Sequence, residues 1–220
     1  MSCKLALVDF DGTLVDSMPY WLELPFVTLK KYGIPEPEGF ADRIRGDPMW
    51  KVSQQLEAEY PVLRGDRTLR ERWDDDMLEN YRLRVRKKPG AEALLALLRE
   101  EGAKVCVLSA TRERILSQAL AFHGFMPLLD AVFDEANFGS KQKEDTYRAL
   151  AERCGCRVDE VLLVDDAPFN IKTAAAAGCA TVAVREGCFA HQVPELQAAA
   201  GLYVPALTET DAIRAYIRNV

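Results

Sequence analysis

Apolar extended segments alternate with helical patterns from Lys88 onward, and this alternation constrains the fold more than any other feature of the chain. A parallel strand pair needs a crossover connection, usually a helix, so strands that alternate with helices predict a parallel sheet wrapped by helices. We therefore predict an α/β fold with a doubly wound parallel sheet. The predicted strands are 5–8, 105–108, 131–133, 161–164 and 181–184.

Polar side chains stand where three of these predicted strands end. Asp9 and Asp11 follow the first strand, Ser109 ends the second, and Asp165 and Asp166 follow the fourth. Binding sites in open parallel sheets form outside the carboxyl ends of the strands. We therefore expect these side chains to lie at one site.

The first of these strand ends carries its own chemical signal. Asp9 and Asp11 are two residues apart, so an extended backbone would project both carboxylates to the same face. Such carboxylates repel each other, and a divalent cation is the usual remedy. Gly12 permits a sharp exit from the strand, and Thr13 adds a hydroxyl beside backbone N–H groups. The segment predicts a metal-assisted anion site, although taken alone it also fits a solvated Asp-Gly turn.

Residues 17–88 break the alternation, because they show helical stripes without a convincing strand. Trp73, Met77 and Tyr81 are spaced four apart, and we expect 74–76 to face water. We predict a helical insert that leaves the core directly after the Asp-Gly turn, where an insert can act as a lid. The predicted domains are an α/β core of 1–16 and 89–220 and a helical cap of 17–88.

Composition excludes several classes of partner. A net charge of −6 and a pI near 5.1 argue against binding to nucleic acid. We find neither a signal peptide nor an apolar run long enough to span a membrane, so we expect a cytoplasmic protein without a membrane partner. Six cysteines are spread through apolar segments, which favours reduced thiols over a disulfide framework, and we do not expect zinc at Cys154 and Cys156.

The order of these motifs resembles the haloacid dehalogenase superfamily. Asp-Phe-Asp-Gly-Thr-Leu-Val-Asp-Ser spans 9–17, and it is followed by Ser109, by Lys141 ahead of a helix, and by Asp165-Asp166. The match covers nearly the whole chain and is similar in particular to members with a helical cap inserted after the first motif. This group contains phosphatases and β-phosphoglucomutase. The resemblance implies a Rossmann-like core with an inserted α-helical cap domain.

The resemblance also implies a reaction. Asp9 would be the nucleophile that becomes an aspartyl-phosphate, and Asp11 would be the general acid and then the general base. Thr13 and Ser109 would donate hydrogen bonds to phosphoryl oxygens, while Lys141 would neutralise their charge.

The implied cofactor is Mg²⁺. Asp9, Asp166 and the backbone carbonyl of Asp11 would bind it, with Asp165 as an auxiliary ligand.

The chain departs from the family pattern at two motifs. It reads Lys141-Gln142-Lys143-Glu144 where Lys-Pro-x-Pro is common, and we prefer Lys141 to Lys143 because Tyr147 lies six residues on. Asp165-Asp166 replaces the common Gly-Asp. Asn170 takes the place of a second acid, where we expect it to hydrogen-bond Lys141 or a metal-bound water.

Residues that would select the substrate are less clearly marked. Arg112 follows the second strand closely enough to reach the cleft, and we include it among the candidate substrate contacts. Arg43, Arg45 and Lys51 are weaker candidates, for which solvated surface charge is the favoured interpretation. The basic run 82–88 is interpreted as a solvated helix face and hinge.

The combined interpretation is a Mg²⁺-dependent phosphatase acting on a small phosphorylated metabolite. A sugar phosphomutase similar to β-phosphoglucomutase is the alternative, and a non-catalytic binding protein on the same scaffold is a third possibility. Asp11 argues against both a dehalogenase and a phosphonate hydrolase, which lack this second acid in the family. Neither the metabolite nor the oligomeric state follows from the sequence.

Overall fold

A computed structural model describes residues 3–220 of the chain. The chain divides into two compact units, of which the first comprises Met1–Asp16 with Arg86–Val220 and the second Ser17–Val85. No helix among the described residues is long and apolar enough to cross a lipid bilayer.

The first unit contains a six-stranded sheet in which all paired strands are parallel. The strand order is β3-β2-β1-β4-β5-β6, so successive strands run outward in both directions from the β1–β4 pair. This doubly wound order confirms the predicted fold class and places a topological switch point between β1 and β4. The strands are β1 Leu5–Val8, β2 Lys104–Ser109, β3 Ala131–Asp134, β4 Val161–Asp165, β5 Ala180–Val184 and β6 Leu202–Val204.

Eleven α-helices and four short 3₁₀ segments complete the described part of the chain. The helices of the second unit are α1 Met18–Lys31, α2 Phe40–Gly46, α3 Met49–Glu59 and α4 Leu69–Leu83. Those of the first unit are α5 Ala91–Glu100, α6 Glu113–Phe122, α7 Glu135–Phe138, α8 Glu144–Cys154, α9 Pro168–Ala177, α10 Val193–Ala199 and α11 Thr210–Asn219. The 3₁₀ segments are Pro61–Leu63, Met126–Leu128, Val158–Glu160 and Gly187–Gln192.

The register of the central strands places the polar strand ends side by side. Every residue of β1 is buried, as expected for a strand with neighbours on both edges and helices over its faces. Val8 is paired with Val107 of β2 and with Val164 of β4. The residues that follow these positions therefore leave the sheet at adjacent points on its carboxyl edge.

The sequence prediction stopped at the fifth strand, whereas the structure continues the sheet. Strand β6 contains only three residues and pairs with β5 at the edge. Three residues are too few to show strand periodicity, which explains why the pattern missed it. Gly90 lies just before α5 at φ +89°, and a Cβ there would come within 2.6 Å of the backbone of Leu207. The segment after β6 is thus packed directly against the chain where it re-enters the core.

The second unit is helical, as the spacing of its apolar residues predicts. Trp73, Met77 and Tyr81 are buried on one side of α4, and the Trp73 indole donates a hydrogen bond to Thr28 Oγ1 at 2.8 Å. The expectation that 74–76 face water is wrong for Asp74, which is buried. Arg70, one turn earlier on α4, pairs with this carboxylate and allows its burial.

Candidate active site

A lysine and two aspartates form the centre of the carboxyl edge. Lys141 Nζ lies 2.6 Å from Asp9 Oδ1 and 3.0 Å from Asp165 Oδ2. Asp9 follows β1, Asp165 ends β4, and Lys141 precedes α8, so three separate segments contribute the three groups. All three side chains are buried. This supports the interpretation that polar strand ends gather at one site.

A third carboxylate joins this cluster. Asp9, Asp165 and Asp166 each offer a carboxylate oxygen, and these oxygens lie within 4.8 Å of one another. Thr13 Oγ1 donates a hydrogen bond to Asp166 Oδ1 at 3.4 Å. Oxygen ligands at this spacing suit a hard divalent cation such as Mg²⁺. The donor set therefore fits the cofactor that the sequence implies.

The Asp11 carboxylate lies outside that group of three, but it is close enough to Asp9 for its charge to raise the pKa of Asp9. Strand β1 ends at Val8, and the N–H groups of Leu14 and Val15 both donate to the carbonyl of Phe10. The chain therefore turns immediately after Asp9 instead of remaining extended through Asp11. The side chain of Asp11 accepts a hydrogen bond from Thr111 Oγ1 at 2.7 Å. Ligation by the Asp11 backbone carbonyl stays a prediction.

Carboxyl groups outnumber lysines within this buried cluster, three to one. Burial raises the pKa of Asp9 to about 7, although Lys141 acts in the opposite direction. Burial also raises the pKa of Asp166 well above its usual value, and the charges of Asp9 and Asp165 add to the rise. For Lys141, burial alone would lower the pKa, but Asp165 and Asp9 outweigh it and hold the pKa well above the usual value. A cation bound among the carboxylates would offset this excess.

Hydrogen bonds fix Asp165 as a support for Lys141. Its Oδ1 accepts from the Ala167 N–H at 2.9 Å, and the Asn170 amide contacts both of its oxygens at 3.0 Å. Of the two partners expected for Asn170, a metal-bound water stays a prediction, and the amide reaches Lys141 only through Asp165, because it donates to the carboxylate that holds the lysine. With both oxygens of Asp165 engaged, Asp9 and Asp166 retain more capacity to bind a metal.

The structure distinguishes the two candidate lysines. Lys143 is exposed at the start of α8, whereas Lys141 is buried against Asp9. Main-chain contacts fix Lys141 on both sides. Tyr147 Oη donates to its carbonyl at 2.9 Å, and Glu135 Oε1 accepts from its N–H at 2.9 Å. These contacts hold the loop in which the common prolines are absent, and nothing in the sequence around Glu135 identified its part in them.

The two remaining candidates at the end of β2 are Ser109 and Arg112. Ser109 is buried, and its Oγ accepts a hydrogen bond from the Thr111 N–H at 3.1 Å. A hydroxyl that accepts such a bond keeps its own proton as a donor, as binding to a phosphoryl oxygen would require. Arg112 is half-buried and immediately precedes α6. Its contact with a ligand stays a prediction.

The weaker candidates in the second unit pair with neighbouring acids. Arg43 lies 2.6 Å from Glu59, Arg45 lies 3.4 Å from Asp42, and Lys51 lies 2.6 Å from Asp47. Local pairing of this kind is ordinary for charges on a protein surface, although Nη2 of the half-buried Arg43 has no hydrogen-bond partner among the described residues.

Lys88 corrects the interpretation of the basic run as solvated. Its side chain is only 14% exposed, and Nζ lies 2.9 Å from Glu186 Oε2 and 3.1 Å from the Arg185 carbonyl. It also donates to the carbonyl of Gly12, in the turn that carries Asp11 and Thr13. Lys88 thus connects this turn to the end of β5. The sequence offered no signal for this pairing, because its partners are distant along the chain.

Comparison with known proteins agrees with this geometry. Residues 6–184 match the profile of the haloacid dehalogenase-like hydrolases. The chain is 28% identical to a phosphoglycolate phosphatase of Rhodospirillum rubrum, a match covering 90% of this chain and 86% of that protein. It is 26% identical to hexitol phosphatase A of Escherichia coli, with 84% of each protein covered.

Solved structures share the fold. A family IA hydrolase from Entamoeba histolytica superposes with a TM-score of 0.76 at 17% identity. The match covers 98% of this chain and 100% of the other. A hydrolase from Deinococcus radiodurans, solved with bound phosphate and sodium, gives a TM-score of 0.69 at 18% identity, with 99% and 98% covered. Since the family profile spans residues 6–184, most of the chain, the protein belongs to the haloacid dehalogenase-like hydrolase family.

Proposed function

We propose that this protein is a Mg²⁺-dependent phosphatase that hydrolyses a small phosphorylated metabolite through an aspartyl-phosphate on Asp9. The family supports a hydrolase, and the names of the relatives in Rhodospirillum and Escherichia support a phosphatase. The single observation that carries the proposal is the buried contact of 2.6 Å between Lys141 and Asp9, beside Asp165 and Asp166. A carboxylate held by a lysine in a cluster that also favours a cation is suited to receive a phosphoryl group.

In the first step, a carboxylate oxygen of Asp9 attacks phosphorus and forms a new P–O bond. The P–O bond to the leaving alcohol breaks, its electron pair stays with the alcohol oxygen, and Asp11 transfers a proton to that oxygen. In the second step, Asp11 accepts a proton from water as the water oxygen attacks phosphorus. The bond between phosphorus and Asp9 then breaks, which regenerates the carboxylate and releases phosphate.

The charge of the phosphoryl group must be offset for an anionic nucleophile to reach it. Lys141 supplies one positive charge, and the hydroxyls of Thr13 and Ser109 supply hydrogen bonds to phosphoryl oxygens. Asp9 and Asp166 would hold Mg²⁺ together with the Asp11 carbonyl, with Asp165 in its auxiliary position. When bound, Mg²⁺ withdraws negative charge from the phosphoryl oxygens.

We further propose that Ser17–Val85 is the cap that selects the substrate, with Arg112 contributing from the core. The division at Val85 lies slightly before the predicted return at 88. Within the core, the two connecting segments run side by side: the Asp16 N–H donates to the Arg86 carbonyl, and the Lys88 N–H donates to the Leu14 carbonyl, each at 2.9 Å. Both connections therefore begin beside the turn that carries Asp11. We also propose a cytoplasmic location.

The test is a substrate screen with purified protein. Phosphoglycolate, hexitol phosphates, hexose 1-phosphates and nucleotides would be incubated with Mg²⁺ or with EDTA, and released phosphate would be measured alongside isomerised sugar phosphate. We expect Mg²⁺-dependent phosphate release by the native protein and none by Asp9→Asn. Isomerised product without phosphate release would favour the phosphomutase, and activity that survives in Asp9→Asn would remove Asp9 as the nucleophile.

A further inference from the structure

Thr111 is a buried residue beside the site that belongs to none of the motifs recognised in the sequence. It follows β2, and its side chain is only 3% exposed. Its Oγ1 donates to Asp11 Oδ2 at 2.7 Å, while its N–H donates to Ser109 Oγ at 3.1 Å. One residue thus binds both the acid assigned to proton transfer and a hydroxyl assigned to phosphate binding.

We propose that Thr111 is a positioning residue that orients the Asp11 carboxyl group for proton transfer to the leaving alcohol. The inference rests on the proposed function, because it presupposes that Asp11 is the general acid. A carboxyl group rotates readily about the bond to its Cβ, so the position of Asp11 on the backbone does not by itself orient its oxygens. The hydrogen bond from Thr111 Oγ1 to Oδ2 restricts that rotation.

The location of Thr111 suits this role. Strands β1 and β2 are neighbours in the sheet, so the loop that carries Asp11 and the loop that carries Thr111 begin side by side. Threonine is branched at Cβ, which restricts its side-chain rotation, and burial limits competition from water for the hydroxyl. The contact therefore joins two adjacent strand-end loops through a stiff donor. Correct placement of a proton donor matters because proton transfer requires hydrogen-bonding distance to the reacting oxygen.

The experiment compares substrates that need the acid to different degrees. An alkyl phosphate requires protonation of its leaving oxygen, whereas 4-nitrophenyl phosphate releases a stabilised anion and requires it much less. The ratio kcat/KM reports the reaction through cleavage of the first P–O bond, before water is activated. Thr111→Val removes the hydroxyl and keeps the shape. We expect it to lower kcat/KM for the alkyl phosphate by about 10-fold or more, with less than about a 3-fold loss for the aryl phosphate.

Controls separate positioning from a general loss of structure. Thr111→Ser keeps the donor, so it should restore the alkyl phosphate reaction to within about 3-fold of the native protein. Thr181→Val is the matched variant. Thr181 is a buried threonine near the start of β5, away from the carboxyl edge of the sheet, and its Oγ1 accepts a hydrogen bond from the Gly201 N–H. It should leave the ratio between the two substrates unchanged. Thr111→Ala serves as a second hydroxyl deletion if Thr111→Val does not fold.

Asp11→Asn distinguishes failure of this inference from failure of the proposed function. Selective loss of alkyl phosphate turnover in Asp11→Asn, without that selectivity in Thr111→Val or Thr111→Ala, would overturn the role of Thr111 alone. Equal losses for both substrates in the Thr111 variants would likewise assign it a merely structural role. An Asp11→Asn protein with native activity on both substrates would refute the general acid itself. Selective loss in both variants, with rescue by serine, supports the inference.

Discussion

Both units of the molecule bury a carboxylate beside a cation, but they differ in how the charges balance. In the helical unit, Asp74 pairs with Arg70 at 2.9 Å, and the Arg70 guanidinium lies 4.8 Å from the centre of the Trp21 ring. These opposite charges lie one turn apart on a single helix. At the carboxyl edge of the sheet, the carboxylates of Asp9, Asp165 and Asp166 lie together, and Lys141 contacts two of them, Asp9 and Asp165.

The difference teaches how to separate a structural ion pair from a site. A balanced ion pair needs no ligand to neutralise it. A substitution that breaks such a pair should affect mainly the free energy of unfolding. A buried excess of one sign is unfavourable for the folded state and is characteristic of sites that bind an ion or react. Lys88 and Glu186 form a second balanced pair, although it lies beside the turn that carries Asp11.

The largest expected effect that tests this difference between the two regions is that of a substitution at Asp9. We expect Asp9→Asn to lower phosphatase activity by about 10⁴-fold or more, because the proposed nucleophile is lost. The same variant should unfold at a higher temperature than the native protein in EDTA, because one of the repelling carboxylates is removed. Activity assays and thermal unfolding followed by circular dichroism would check both. A lower unfolding temperature would show that the cluster stabilises the fold and would contradict the comparison.

The balanced pair should respond in the opposite way. Asp74→Ala leaves the Arg70 charge without its buried partner, so we expect a loss of about 3 kcal/mol in the free energy of unfolding, measured by urea denaturation. Asp42→Ala is the matched control, since the Asp42 side chain is 92% exposed and its pair with Arg45 is 3.4 Å long. It should change stability by less than about 0.5 kcal/mol. If the two substitutions changed the free energy of unfolding equally, the burial of Asp74 would not contribute to stability.

Binding of Mg²⁺ should offset the repulsion among the carboxylates of Asp9, Asp165 and Asp166 and so stabilise the folded protein. At a Mg²⁺ concentration about 100 times its dissociation constant, binding to the folded state alone stabilises by about 2.7 kcal/mol. Thermal unfolding across a Mg²⁺ titration would measure this, with Asp166→Asn as the variant in which the stabilisation should largely disappear. The Asp74→Ala protein should keep it. An unfolding temperature of the native protein that does not change with Mg²⁺ would argue against the metal site.

The smallest expected effect concerns the acid sensitivity of the second balanced pair. Burial alone would raise the pKa of Glu186, but the Lys88 charge and the N–H groups of Cys188 and Gly187 lower it below the ordinary 4.5. Its contribution to stability is therefore present above about pH 4.5 and is lost as the pH falls through the lowered folded-state pKa. Glu186→Gln should be less stable than the native protein at pH 7, and the difference should narrow in acid. Urea denaturation at several pH values would show a constant difference if the pair were not involved.

Much of this fold followed from local patterns, and the site followed only in part. The central strands were predictable because burial on both faces makes them continuous apolar runs, and their polar ends indicated where the site would lie. The grouping of Asp9 with Asp165 and Asp166, and the placement of the Asp11 side chain beside Thr111, depend on the turn after β1 and on strand order. No spacing along the chain encodes that arrangement.

Contacts between residues far apart in the sequence could not be predicted, for a related reason. The donor role of Thr111, the support of Lys141 by Glu135 and the pairing of Lys88 with Glu186 all join residues whose proximity arises from tertiary structure. A lysine in a basic run is typical of a solvated surface, and only the fold shows that Lys88 meets a buried carboxylate. Similarly, Asp74 belongs to an acidic run, but its position on α4 places it against Arg70.

The contrast between Lys141 and Lys143 has a practical consequence for chemical labelling. A primary amine reacts with acylating reagents only when it is accessible and deprotonated, and Lys141 is buried with its pKa held high. Lys143 is exposed and lies two positions away, so the two amines can be recovered in one proteolytic peptide. In the native protein the label should accumulate on Lys143 and spare Lys141. The ratio of label on Lys141 to label on Lys143, measured by mass spectrometry, would report how often the segment around Lys141 opens to solvent.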